Sequence, residues 1–195
     1  MSHPDWLVGG DRHAVGAERI YEAAAELISR EGFDAFDIDA LAAKLHCSRA
    51  TIYRHAGGKA AIRDAVIGSA AQRIVDTVRE VVDGMAGPDR VLTAISTALA
   101  QIRSDPLSRI VIATGHIASA TTQLTDSPVL ANLARDLTGL TDEEHTAAEW
   151  IVRVVLSLLL WPGNDAQAEQ QMLQEFVAPA FTSTARQSRR KASNT

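Results

Sequence analysis

Residues 38–55 read IDALAAKLHCSRATIYRH. Ile38, Leu41, Ala42 and Leu45 recur at helical spacing behind Asp37, a good N-cap, and predict a short helix over 38–45. His46-Cys47 interrupts it, Ser48 is placed to cap a second short helix over 49–55, and Gly57-Gly58 stops that one. Two short helices about a tight turn are the geometry of a helix-turn-helix. Leu41, Ala42, Leu45, Cys47 and Ile52 supply a small shared core, which leaves the polar residues of the second helix uncommitted to packing. A helix entering the major groove needs donors that reach base edges and methyl groups that meet thymine. Arg49, Ala50, Thr51 and Arg54 are therefore the candidate base contacts. Ser48, Tyr53, His55 and Lys59 flank them as candidate phosphate contacts, Lys59 at a helix start whose N–H groups also favour anions.

The formal net charge of −5 argues superficially against an anionic partner, but the charges are unevenly spread. Between Ala40 and Arg63 stand Lys44, Arg49, Arg54, Lys59 and Arg63 with no acid, a local +5; Phe176 to Thr195 carries +4, so the remainder is −14. Screening confines each charge to roughly 8 Å at physiological salt, so the local patch governs phosphate contact.

Outward from this stretch the chain reads as all helix, with about nine helices and no sustained strand alternation. Ile20, Ala24, Leu27 and Ile28 predict a first helix over 17–31, ended by Gly32. A long fourth helix over 59–82 ends near Gly84 and Gly87-Pro88. Further helices are expected over 89–103, 106–119, 127–138, 142–161 and 166–182, the eighth opened by the capping-box spacing of Thr141 and Glu144. The domain reading is a flexible N-terminus (1–16), a DNA-binding helix-turn-helix domain (17–63), a C-terminal helical domain (64–182) sharing the fourth helix, and a basic disordered tail (183–195).

The stretch RIYEAAAELISREGFDAFDIDALAAKLHCSRATIYRHAGGKAAIRDAV resembles the N-terminal DNA-binding domain of the TetR family of transcriptional regulators. The residues that carry the likeness are Glu31-Gly32-Phe33, Leu41-Ala42, Ser48, Thr51-Ile52-Tyr53, His55 and Lys59. His46 stands where that family usually has glycine, and Ala56 where it usually has an aromatic. His46 must then adopt a left-handed conformation or alter the turn. The resemblance implies a C-terminal helical domain for a ligand and for dimerisation. It places Arg103, Ile112, His116, Gln123 and Trp150 as candidate pocket residues, with Thr114 and Trp161 nearby. Low charge across residues 110–124 suggests a hydrophobic or amphipathic effector. The eighth helix is apolar almost all round, apart from the stripe of Glu149, Arg153 and Ser157, and so needs covering on most sides. Trp150, Val154, Ser157, Leu158 and Trp161, with Met172 and Phe176 of the ninth helix, are the candidate homodimer interface.

Composition narrows the alternatives. With 46% hydrophobic and 22% charged residues the chain can bury a core. One cysteine, Cys47, excludes a disulfide framework or a Cys-rich zinc site, and a small apolar packing role suits it better than a redox switch. The apolar run from Trp150 to Trp161 is too short to span a bilayer, and MSHPDWLVGGDRH lacks a signal-peptide pattern, so a cytoplasmic, membrane-free protein is expected. No nucleophile elbow, phosphate loop, dinucleotide fingerprint or metalloprotease motif is present; no cofactor, metal or catalysis is expected. The reading is a dimeric DNA-binding regulator, most simply a ligand-responsive repressor on an inverted-repeat operator. Its rival is a helical small-molecule-binding or protein-interaction module that no longer reads DNA specifically.

Overall fold

The computed structural model describes residues 6–114 and 122–182, with side chains of the first helix from residue 14 onward. All regular structure among the described residues is helical. The chain forms two compact units, Met1–Gln72 and Arg73–Thr195, whose boundary falls inside a helix.

In the first unit, α1 (Trp6–Glu31) buries Ile20, Ala23, Ala24, Leu27 and Ile28 along one stripe. It ends where Gly32 turns left-handed at φ 86° and its N–H donates to the Ile28 carbonyl at 2.8 Å. The helix starts well before residue 17, because Gly16 is a site of close approach and not a breaker. A Cβ at Gly16 would stand 3.3 Å from Nδ1 of His55, so the missing side chain lets the two helices meet. α2 (Ile38–Lys44) and α3 (Arg49–Ala56) follow, then α4 (Lys59–Val81). Phe33, Phe36, Leu41, Ile52, Ile62 and Val66 are buried, giving this unit a core contributed by all four helices. Leu45 and Cys47, expected inside that core, are only half-buried, since α2 has already ended at Lys44.

The second unit contains the end of α4, α5 (Gly87–Ser104), α6 (Pro106–Ala113), α7 (Pro128–Thr138), α8 (His145–Leu160) and α9 (Ala166–Met172). α6 stops at Ala113, where Thr114 caps it, short of the expected 119; residues 115–121 lie outside the described residues, and 122–125 are helical. Thr141 donates both its N–H (2.8 Å) and its hydroxyl (2.9 Å) to Glu144, and the chain enters α8 through a 3₁₀ turn at Asp142–Glu144 instead of directly. After α9 the helix widens into a π turn, Leu173–Val177, and then continues to 182. α5 divides its faces between two clusters. Val91, Ile95 and Leu99 join Ile151 and Leu159 of α8 with Leu173, Val177 and Phe181. Ala94 and Ala98 pack with Val78, Val82 and Leu137. Arg90 ties α5 to α7, donating to the carbonyls of Leu137 (2.9 Å) and Asp136 (3.0 Å) at the C-terminus of α7.

Candidate nucleic-acid interface

Asp37 caps α2 by accepting from Asp39 N–H at 3.3 Å, and Leu45 closes it. The turn then depends on His46, the one non-glycine residue among those described with positive φ, at 51°. Histidine thus takes the left-handed conformation that glycine holds more cheaply. Ser48 opens α3: its Oγ accepts from Thr51 N–H at 3.1 Å and shares a 2.9 Å hydrogen bond with the Thr51 hydroxyl. Gly57, at φ 76° and ψ −156°, ends the helix in a backbone region that essentially only glycine enters.

Burial sorts the second helix into faces. Ile52 and Ala56, four apart, point into the core. Arg49, Ala50, Tyr53 and Arg54 form the exposed side, Tyr53 being 49% accessible. Thr51 and His55 occupy the flanks and are half-buried, Thr51 engaged with Ser48 and His55 seated against Gly16 with its Nδ1 edge buried. The other His55 nitrogen, Nε2, lies 3.4 Å from Nη2 of Arg54. Lys59, exposed at the start of α4, donates to the Asp34 carbonyl at 3.4 Å and stands 6.0 Å from the Phe36 ring centre. Arg63 lies 5.1 Å over Phe33.

The basic character of this segment is smaller in space than along the chain. Lys44 pairs with Glu26 of α1 at 2.7 Å, and that contact holds the Glu26 carboxyl below its ordinary pKa through the hydrogen bond and charge of Lys44. Arg49 meets Asp39 of α2, Nε to Oδ1 at 3.2 Å and Nη1 to Oδ2 at 3.3 Å. Asp39 stands one residue outside the acid-free window, which is why counting along the sequence missed it. Asp39 is the site residue that sequence reasoning omitted; its spacing of ten from Arg49 matches no single-helix periodicity.

A model of the bacterial regulatory proteins of the tetR family matches residues 20–66. Two uncharacterized HTH-type transcriptional regulators of Mycobacterium tuberculosis, from strains CDC 1551 / Oshkosh and ATCC 25618 / H37Rv, are each 30% identical over 188 residues, covering 93% of this chain and 93% of the relative. The chain belongs to the TetR family. Solved structures agree on the TetR fold. A TetR-like transcriptional regulator from Rhodococcus sp. RHA1 aligns at TM-score 0.50 and 21% identity over 82% of this chain and 92% of its own. The repressor AlkX from Dietzia sp. strain DQ12-45-1b, implicated in biodegradation of n-alkanes, aligns at TM-score 0.55 and 18% identity over 84% and 94%. QsdR from R. erythropolis aligns at 0.55 and 18% over 87% and 95%. As a TetR-family protein, the chain is a DNA-binding transcriptional regulator.

The remaining predicted positions lie in the second unit of this TetR-family chain. Of the pocket candidates, Arg103 is half-buried and donates to both carboxylate oxygens of Glu169, at 2.7 and 2.8 Å, and to the Leu158 carbonyl at 2.8 Å. Ile112 packs on the main core, Gln123 is exposed, and His116 lies outside the described residues. Trp150 is partly exposed and stacks at a tilt on Phe181, centroids 6.1 Å apart. Arg153 reaches Glu149, four residues before it, at 3.7 Å and Asp126 at 3.5 Å. Among the interface candidates, Val154 and Leu158 are partly packed against the core, whereas Ser157, Trp161 (72% exposed), Met172 and Phe176 (71%) face outward. No helix among the described residues is long and apolar enough to cross a membrane.

Proposed function

We propose that this regulator is a homodimeric repressor that binds an inverted-repeat operator and releases it when a small effector occupies the C-terminal unit, acting by binding in the cytoplasm without catalysis. The observation that carries this reading is the exposed side of α3. Arg49, Ala50, Tyr53 and Arg54 share one face of a capped, core-anchored helix, and that is the arrangement direct readout requires. Arg49 and Arg54 are the base donors and Ala50 the methyl contact. Thr51, on the flank and bonded to Ser48, contributes to base contact from the edge. Tyr53 and Lys59 contact phosphate, joined by the exposed Ser48 and by His55 from its half-buried flank.

One tryptophan and one phenylalanine side chain more than two-thirds exposed, Trp161 at the end of α8 and Phe176 in the π turn after α9, support a partner subunit over this face. A two-fold dimer sets its recognition helices roughly 34–36 Å apart, one turn of DNA. Release then requires an effector with unequal affinity for operator-matched and unmatched states.

The test is selection from a random double-stranded library at about 0.15 M salt, the physiological range in which specific binding separates from nonspecific binding. The native chain is expected to enrich an inverted repeat. Arg49→Ala is expected to lose about 1–3 kcal/mol on that site and to blur one position of each half. Equal losses on the selected and on random DNA refute Arg49 as a base reader, and no enrichment at all refutes specific readout.

A further inference from the structure

We propose that the cleft between α5 and α9 binds an amphipathic small molecule that carries several hydrogen-bonding groups and no net negative charge. The proposal rests on the effector-controlled reading above and adds where the effector sits and what chemistry it has. The cavity measures about 660 Å³, in the usual range for small-molecule sites. Its walls present Thr93, Ser96 and Thr97 from α5, Gln170 from α9 and Gln174 from the π turn that follows it, while Leu92, Leu99 and Leu173 supply the apolar part of the lining. Hydroxyls, amides and leucines in one lining suit a molecule with both an alkyl body and neutral polar groups.

The charges select further. Arg103, Glu169 and Asp89 line the cavity. Arg103 is already held by Glu169 and the Leu158 carbonyl, and Glu169 also accepts from Gly163 N–H at 2.8 Å. The single cation is internally matched, Asp89 leaves the lining at a formal −1, and an anion entering here meets repulsion. The backbone supplies a second, independent sign. The π turn Leu173–Val177 begins with two of the lining residues, Leu173 and Gln174, and such widened turns recur at functional sites. The site also has a mechanical outlet. α5 turns Thr93, Ser96 and Thr97 to the cleft while its Ala94 and Ala98 pack against Val78 and Val82 at the end of α4. A ligand that shifts α5 therefore disturbs the packing of α4.

Four probes with one alkyl chain and different heads test the assignment on the full chain by titration calorimetry: 1,2-octanediol, octanamide, octylamine and octanoate. The diol, amide and amine are expected to bind saturably, and octanoate at least about tenfold more weakly. Thr93→Val with Thr97→Val keeps the shape and removes two hydroxyls; it is expected to weaken the diol and amide by about tenfold and the amine less. Ala100→Trp, which fills the same cleft, is expected to abolish all binding. Thermal unfolding checks that each variant folds, and the valine pair carries the test if the tryptophan variant does not. Failure of every probe to bind, equal binding of octanoate, or indifference to both variants overturns the proposal. Operator selection without any probe is run separately. Selection succeeding while the probes fail overturns the cleft alone, and probes binding while selection fails overturns the regulator reading alone.

Discussion

Arg49 and Asp39 are both more than half exposed, so their ion pair contributes at most about 1 kcal/mol to stability. Its consequence is for DNA. The carboxylate orients the guanidinium through two contacts and at the same time places a negative charge beside the reading face. Asp39→Asn is accordingly expected to raise affinity for random DNA, to steepen its salt dependence and to reduce the preference for the base Arg49 reads. Unchanged binding of random DNA in a salt titration would remove Asp39 from the interface. His46 offers a stability measurement at the next step of the chain. Holding histidine at φ 51° carries a conformational cost that glycine lacks, offset in part by the freedom glycine gains when unfolded. His46→Gly is expected to stabilise the chain by about 0.5 kcal/mol; a lower urea midpoint would show that the imidazole contributes more than its backbone costs. The sequence exposed this choice, because histidine in a turn position leaves few conformations open. The Asp39 pair was hidden, since α2 and α3 bring together residues with no shared period.

Between helices, the contact with most consequence is Glu169, 5% exposed, which joins α9 to Arg103 on α5 and to the Gly163 N–H in the loop after α8. Gly163 is needed there: a Cβ would stand 2.8 Å from Cγ of Glu169. The hydrogen bond from Arg103 is the main cause that holds the Glu169 carboxyl below its ordinary pKa, against the opposing effect of burial. Because the folded value is depressed, the stabilisation is complete above the ordinary glutamate value of about 4.3 and is lost as pH falls through the folded value. Glu169→Gln is expected to cost about 2–3 kcal/mol at pH 7, with the gap from the native chain closing as urea melts are taken below about pH 4. A gap that stays constant with pH contradicts a charge-based role. Periodicity and caps made most elements readable in advance, from the Asp37 and Ser48 caps to the Gly32 terminator. The early start of α1 and the π turn were not readable. One follows from a glycine opposite His55, the other from how a helix end packs, and neither changes local composition.

For the molecule as a whole, Trp161 and Phe176 are the test of assembly. Replacing both with glutamate places like charges on a face that the proposed dimer desolvates. Trp161→Glu with Phe176→Glu is expected to shift sedimentation to the monomer and to reduce operator affinity by at least about a hundredfold, since each monomer then holds one half-site alone. A variant that remains dimeric and binds its operator normally places the interface elsewhere on the surface. The helical content of the variant should match the native chain, because both side chains are exposed within the single chain.

The helical class, the position of the helix-turn-helix and the TetR likeness were all present in the order of residues, because caps, glycine terminators and a 3.6-residue stripe act over a few neighbours. The local charge beside the recognition helix, the seat of His55 on Gly16 and the neutralised Arg103 at a cleft required the fold. Each brings together residues of different helices, and electrostatics and close packing depend on separation in space, which chain order does not carry.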